Sequence, residues 1–455
     1  MARASETSTS SERLLSEEPL AAIVGFAVPM ALSSLLEQLY NMVDSIVAGN
    51  FLGETAVAAV GASFSLCNVL VYAAIGCGIG AGVLAARRYG EGSRAGAARV
   101  IWTSVALFSA VGLVLAVAGL PLADLVLEAL GTPAEALADS VAYMAVYFFG
   151  LPALFSLNAT SAMFNAVGDS RTPLALLAVS ALINVAGDVA STAFLGMGVA
   201  GIAVSTVAAE YVVAVLGALI LWNRTRRWSD GKSMLDKSLV FPIERLAVPS
   251  VLQQSTIAIG LMLVQSVVNC FGASYLAGFS AAMRVENVAT VPTIALGSAL
   301  SSFASQNVGA GQDERADEGY RVSQRLVAVT AITIFAVYQL FCEQIIAAFL
   351  GSDATPAAMQ VGVDYMRFVG WCYALIGLKN VADGMLRGLG DTRIFTWANI
   401  INLGLRVGLA HLLAPSLGVA VTWWVVPLGW FVNFAISHAG VVAWRKNLRQ
   451  AANGA

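Results

Sequence analysis

Stretches of about twenty residues almost free of charge follow one another from Leu20 to Trp444, and they constrain the fold more tightly than any motif in the chain. Each is long enough to cross a hydrocarbon core of roughly 30 Å. Inside lipid every backbone N–H and C=O needs a partner, so a spanning segment is either a helix or a strand of a closed barrel. Apolar and polar residues do not alternate with period two along these runs, which excludes the barrel. The expected class is therefore all-α and integral to a membrane. Composition agrees: 58% of residues are hydrophobic and 12% charged, against about 25% charged in soluble domains. Glycine is abundant at 42 residues, as suits helices whose backbones approach closely in lipid. The five cysteines lie in apolar stretches without a CxxC pair and read as packing residues. A net charge of -3 gives nucleic acid no basic surface, so membrane lipid is the expected macroscopic partner. The Ser/Glu-rich start does not have the pattern of a cleavable signal peptide.

Hydropathy divides the chain into about twelve spans, at 20–47, 56–84, 100–120, 139–166, 174–194, 199–222, 246–269, 275–304, 322–349, 359–386, 394–413 and 418–443. Charge tests that division. Alternate connections hold Arg87, Arg88, Arg94 and Arg99; Arg171; Arg224, Arg226, Arg227, Lys232 and Lys237; Arg315 and Arg321; Arg393; and Arg445, Lys446 and Arg449. The intervening connections, 51–55, 120–139, 195–198, 271–274, 351–358 and 414–417, hold no Lys or Arg. By the positive-inside rule the span count is even and both termini are cytoplasmic, as in a multi-pass protein of a bacterial or archaeal cytoplasmic membrane.

The chain also repeats itself. Pro29 opens the first span and Pro249 the seventh; "VGDSRT" at Val167 returns as "LGDTRI" at Leu389, and "RRYGEG" at Arg87 as "QNVGAG" at Gln306. The common offset of about 220 residues makes two six-helix halves in tandem. The expected organisation is a tail at 1–19, a bundle at 20–222, a cytoplasmic linker at 223–245, a second bundle at 246–444 and a tail at 445–455. Two pseudo-symmetric halves are a recurring plan among transporters, where one half rocks against the other.

Polar groups break the symmetry. Ionisable residues inside spans are costly and are functional candidates by default. Glu37, Asn41 and Asp44 share one face of the first helix, with Tyr40 beside them. Asn184 and Asp188 are one turn apart on the fifth helix, and Thr206 and Glu210 on the sixth. Converging, they would offer the oxygen ligands that a hard cation takes, or carboxylates able to share a proton. A buried acid satisfied by neighbouring helices is the structural alternative. In the second half Asp44 maps near Gly260 to Val264, Asn184 near Arg406 and Asp188 near Ala410, so no equivalent set exists there. Pro29 removes a backbone hydrogen bond ahead of Asp44 and would serve either as a bending point or as a fixed kink. Lys379 and Asp383, four apart on the tenth helix, are expected to pair. The alternative is that they line the second-half cavity and contact substrate, and Arg284, Glu286 and Arg406 pose the same choice; His411 and His438 read as packing residues.

Together "PMALSSLLEQLYNMVDSIVAGNFLGETAVAAVG", "NAVGDSRTPL", "INVAGD", "GVAGIAVST", "SQNVGAG" and "RGLGDTR" resemble the multidrug and toxic-compound extrusion transporters over nearly the whole chain. The resemblance implies twelve helices in two bundles arranged as a V, no enzymatic activity and no cofactor. It implies a monomer that exports drugs or organic cations against entering sodium or protons. The helix-one Asp44, Asn184 and Asp188 on helix five and Thr206 on helix six match the DinF-like branch of that family, as do Pro29 and Tyr40. In that branch these four residues form the cation site, holding Na+ if sodium is the driving ion. Glu37, Tyr40, Asn41, Asn158 and Glu210 are then candidates to line the substrate cavity. The NorM-like branch adds acids on helices seven and ten, where this chain has Gln253, Gln254 and Ser255, and Cys372 and Ile376. A lipid or lipid-linked oligosaccharide flippase of the same superfamily is the alternative; it would place several basic residues within the spans, whereas most here lie in cytoplasmic connections.

Overall fold

The computed structural model describes residues 10–454, apart from 53, 130–131, 133, 232, 270–271, 352–354 and 419–420; side chains in the second half of the first helix and of the seventh are mostly outside that description. Twelve long helices run through the described residues. They are α1 (Pro19–Leu52), α2 (Glu54–Gly90), α3 (Arg94–Gly119), α4 (Ala134–Ala166), α5 (Arg171–Val189) and α6 (Gly198–Thr225). The second half supplies α7 (Val240–Asn269), α8 (Ala273–Gly309), α9 (Asp313–Leu350), α10 (Pro356–Leu389), α11 (Thr392–Leu417) and α12 (Val421–Gly454). No strand is assigned among the described residues, in line with the all-α expectation. Nine of the described helices are long and apolar enough to cross a membrane. Among those that are not is α10, which carries Asp364, Arg367, Lys379, Asp383 and Arg387.

Several helices are longer than a bilayer requires: at about 1.5 Å per residue the 34 residues of α1 extend well past the hydrocarbon core. Prolines lie within α1 (Pro29), α4 (Pro152), α7 (Pro249), α8 (Pro292) and α12 (Pro427). Each removes one backbone donor, which lipid cannot replace.

The chain forms two compact units. One is Leu32–Gln254; the other is Met1–Ala31 with Ser255–Ala455. The division therefore falls inside α1 and α7, close after Pro29 and Pro249, whereas the repeat suggested bundles at 20–222 and 246–444 joined through the linker. Glycine explains half of this. A Cβ at Gly76 would lie 2.5 Å from the Cα of Val251, and one at Gly80 would lie 2.4 Å from that of Ala247. The backbones of α2 and the start of α7 touch there, which locks that part of α7 into the first unit. The start of α1 is held in the second unit by Ile23, Phe26 and Ala27, buried with Leu300, Phe303 and Tyr320.

The first unit has a core built on Ile101, Phe108, Leu151, Phe155 and Phe164. A second cluster in the other unit joins Phe279, Tyr338, Tyr365, Val369 and Trp430. At the start of α5 a polar latch closes the first unit. Asp169 accepts hydrogen bonds from the amides of Arg171 and Thr172, both at 3.0 Å, and from the Thr172 hydroxyl and the Arg224 guanidinium, both at 2.5 Å. Burial pushes this carboxyl up, but the Thr172 hydroxyl and amide and the Arg224 charge outweigh it and hold it below the ordinary Asp value.

Candidate cation-coupling site

The site in the first unit is built on α5 and α6, joined by a tight connection. A π-helical turn at Ala190–Phe194 closes α5, and Gly196 and Gly198 take φ of 60° and 61°, a region where a side chain would be strained. Extra-wide helical turns are frequent at functional sites. Here the Thr192 hydroxyl donates to the Asp188 carbonyl at 2.6 Å and Ser191 does so at 3.2 Å, satisfying the backbone oxygen that the turn releases. Gly187 lets the helices meet, because a Cβ there would stand 2.6 Å from the Cβ of Ser205.

This close approach brings together three of the residues singled out from sequence. Asn184, Asp188 and Thr206 are all buried. The Asn184 amide donates to the Thr206 hydroxyl at 2.9 Å, and that hydroxyl donates to the Ile202 carbonyl at 3.0 Å. The carboxylate of Asp188 is met by the hydroxyl of Ser205. Ser205 also reaches the carbonyls of Gly201 and Ile202, each at 3.0 Å. A hydroxyl has one proton, so Ser205 has to choose between the carboxylate and its own helix. The Oδ1 of Asn184 is buried and has no hydrogen-bond partner. An orphaned carbonyl oxygen one helical turn from a buried carboxylate is a donor set for a hard cation. The sequence reading missed Ser205, because adjacent residues point about 100° apart on a helix and spacing alone does not tell which of Ser205 and Thr206 faces α5.

Asp44, Tyr40 and Asn41 lie on α1, and their side chains fall outside the described residues. Glu37 is half-buried on α1 with Tyr72 nearby. Glu210 is buried one turn beyond Thr206; its Oε2 would stand 3.3 Å from a Cβ at Gly150, so it faces α4. Asn158 turns back on its own helix, donating to the Leu154 carbonyl at 2.9 Å. Neither of these two contacts is to Asp188. Among the described residues no group of three or more His, Cys, Asp and Glu is placed to hold a metal ion.

The second unit buries a different network. Lys379 pairs with Asp383 at 3.1 Å, both side chains being almost wholly enclosed. Ser437 donates to the same carboxylate at 2.7 Å and Asn399 at 3.3 Å, and Asn433 donates to Asn399 at 3.2 Å. The ion pair expected between Lys379 and Asp383 is thus present, with partners from α11 and α12. His438, read as a packing residue, instead shares a hydrogen bond of 2.8 Å with the buried Tyr320. His411 is exposed and lies 3.1 Å from the Val407 carbonyl.

Comparison with known proteins follows the same division. The MatE family model matches residues 29–190 and again residues 249–412, once in each half of the repeat. A probable multidrug resistance protein of Bacillus subtilis, YpnP, is 27% identical over 406 residues, covering 87% of this chain and 88% of its own. The DNA damage-inducible protein F of Escherichia coli is 26% identical over 447 residues, covering 93% and 91%. The fold matches a multidrug resistance MATE family transporter solved in an outward-facing conformation, with a TM-score of 0.88 at 23% identity, covering 97% of this chain and 100% of that one. On the double match of the family model, supported by relatives that align nearly end to end, this chain belongs to the MatE family of membrane transporters.

Proposed function

We propose that the protein exports amphipathic drugs or organic cations across a bacterial or archaeal cytoplasmic membrane, driven by protons or sodium ions entering at a site built from Asp188, Asn184, Thr206 and Asp44. The observation that carries this reading is the unpartnered Oδ1 of Asn184, buried one turn from Asp188. In a bilayer an unsatisfied polar atom is expensive, and an entering cation would satisfy it. The multidrug resistance names of relatives such as YpnP support export of drugs as the physiological direction.

The chemistry suits either ion. A sodium ion would exchange its water for the carboxylate of Asp188 and the oxygens of Asn184 and Thr206, with Ser205 turning its hydrogen to its own helix so that its oxygen also faces the ion. A proton would sit on Asp188, which then no longer needs Ser205 as a donor. In both cases the site becomes neutral on loading, and that change is what a rocking pair of bundles can sense. One inward charge supplies about 2.3 kcal/mol per 100 mV, enough for roughly 50-fold accumulation of an uncharged substrate outside. The protein would work as a monomer, needing only lipid around it.

The test is transport in proteoliposomes with the sodium gradient and the pH gradient imposed separately. Asp188→Asn keeps volume and removes the charge, so efflux of a cationic dye should lose its dependence on both gradients while the protein still folds and inserts. Efflux in the variant that follows either gradient as in wild type overturns the assignment.

A further inference from the structure

The second unit holds a buried acid and a half-buried base that do not pair with each other. Glu286 on α8 is buried, and one of its oxygens accepts a 2.7 Å hydrogen bond from the hydroxyl of Tyr365 on α10. Arg406 on α11 is within electrostatic reach of both. Among the described residues no ion pair joins Arg406 to Glu286 or to any other acid, and the Nε of Arg406 is buried without a hydrogen-bond partner. Opposite the base, a Cβ at Gly260 of α7 would lie 3.7 Å from its Nη1, an ordinary contact distance, so the guanidinium packs against α7. Two further hydroxyls near Glu286, those of Tyr338 on α9 and Tyr373 on α10, are also buried and unpartnered.

Depth makes this arrangement costly. Glu286 lies about 20 Å along α8 from its extracytoplasmic end, and Arg406 about 17 Å along α11 from its own. Both therefore sit near the middle of the hydrocarbon core, where unpaired charges are rare and mark functional sites. The buried Lys379–Asp383 pair in the same unit provides the contrast, since there the acid meets its base at 3.1 Å. By the repeat, Arg406 stands where the first half has Asn184. An oxygen donor for cations in one half is replaced by a guanidinium in the other.

We propose that Glu286, Tyr365 and Arg406 form a bipolar subsite for the headgroup of a zwitterionic amphiphile, taking its ammonium at Glu286 and its carboxylate at Arg406. This deepens the export reading and rests on it for direction of transport. The argument is electroneutrality. A bare organic cation at Glu286 would leave the guanidinium uncompensated, and a bare anion at Arg406 would leave the carboxylate so. A dipolar ligand neutralises both charges and adds none, which is the least costly way to fill such a site in low dielectric. The Tyr338 and Tyr373 hydroxyls supply donors and acceptors around it. Arg406 is half-buried as a whole residue, while its Nε is enclosed.

The experiment uses two probes that differ by one group. Nε-dansyl-lysine carries an ammonium and a carboxylate; dansylcadaverine is the same molecule without the carboxylate. Each is titrated by fluorescence onto the purified full-length protein, with no ion gradient. Wild type should bind the zwitterion more tightly. Arg406→Gln should weaken Nε-dansyl-lysine about tenfold, the size of one lost charge-assisted hydrogen bond, and change dansylcadaverine by no more than about twofold. Arg406→Lys should recover most of that loss, and Glu286→Gln should weaken both probes. The ratio of the two affinities within one preparation does not depend on the folded fraction. A wild type that binds neither probe, or an Arg406→Gln protein in which both affinities fall alike or neither changes, overturns the proposal. Because the titration needs no gradient, failure of ion coupling at Asp188 would leave it standing; gradient-driven efflux of dansylcadaverine alongside a failed titration would remove only the subsite.

Discussion

Asp188 in the first unit and Asp383 in the second are both buried acids met by a serine hydroxyl from a neighbouring helix, Ser205 in one case and Ser437 in the other. Each also has an asparagine in its network. What separates them is the charge on the surrounding helices. Lys379 precedes Asp383 by one turn and holds it in an ion pair. Between Arg171 and Arg224, by contrast, α5 and α6 carry no Lys or Arg at all. The second unit thus provides its acid with a fixed cation, while the helices of Asp188 bring oxygens suited to a cation from solution. One arrangement is a structural cross-link between α10, α11 and α12; the other is suited to exchange.

The largest effect should come from removing the fixed cation. Lys379→Met leaves Asp383 buried without its base and should cost about 3–5 kcal/mol. Adding Asp383→Leu should return most of it, because the pair replaced by apolar groups is often nearly neutral. Thermal unfolding in detergent reads both, and a double variant no better than the single one would break the view of this pair as a structural cross-link.

In the proposed cation site the stability effects should be smaller and the ion dependence larger. Gly187→Val places a side chain against Ser205 and should destabilise by about 1–3 kcal/mol through overpacking, while also spreading α5 from α6. Its ion-stimulated efflux should fall more than its ion-independent dye binding. Thr206→Val keeps the shape and removes the oxygen that Asn184 now holds. The concentration of sodium or protons needed for half-maximal efflux should rise about tenfold, as expected for one lost ligand; an unchanged value would leave Thr206 as packing alone.

The smallest effect concerns the latch at Asp169, which tests whether charge at the opposite end of α5 from Asp188 contributes stability only. Folding lowers the pKa of this carboxyl. Its contribution is therefore complete above the unfolded value, near pH 4, and is lost as pH falls through the lower folded value. Asp169→Asn should lower stability by about 1 kcal/mol at neutral pH and flatten the acid limb of the melting-temperature profile. Transport should be unaffected, and a shift in its pH optimum would implicate the latch in coupling.

Much of this is legible in the sequence. Asn184 and Asp188 at four-residue spacing, with Thr206 on the next helix, were sufficient to suggest a cation site, because helical periodicity places such residues on one face. Ser205 was not, since which of two adjacent hydroxyls faces α5 depends on how α6 is rotated. The Asn158 side chain, a candidate to line the substrate cavity, spends its donor on its own helix. Periodicity tells which residues share a face but not what that face meets.

The sequence by itself determined the helices, their number, the duplication and the positions of charge along them. Those properties follow from the transfer free energy of each segment of about twenty residues, a local quantity. Only the tertiary structure decided that the compact units divide within α1 and α7, that Gly187 brings Ser205 to Asp188, and that Arg406 stands apart from Glu286. These depend on how closely and at what rotation helices distant in sequence pack, and in lipid that is set by small residues and polar contacts rather than by hydrophobicity.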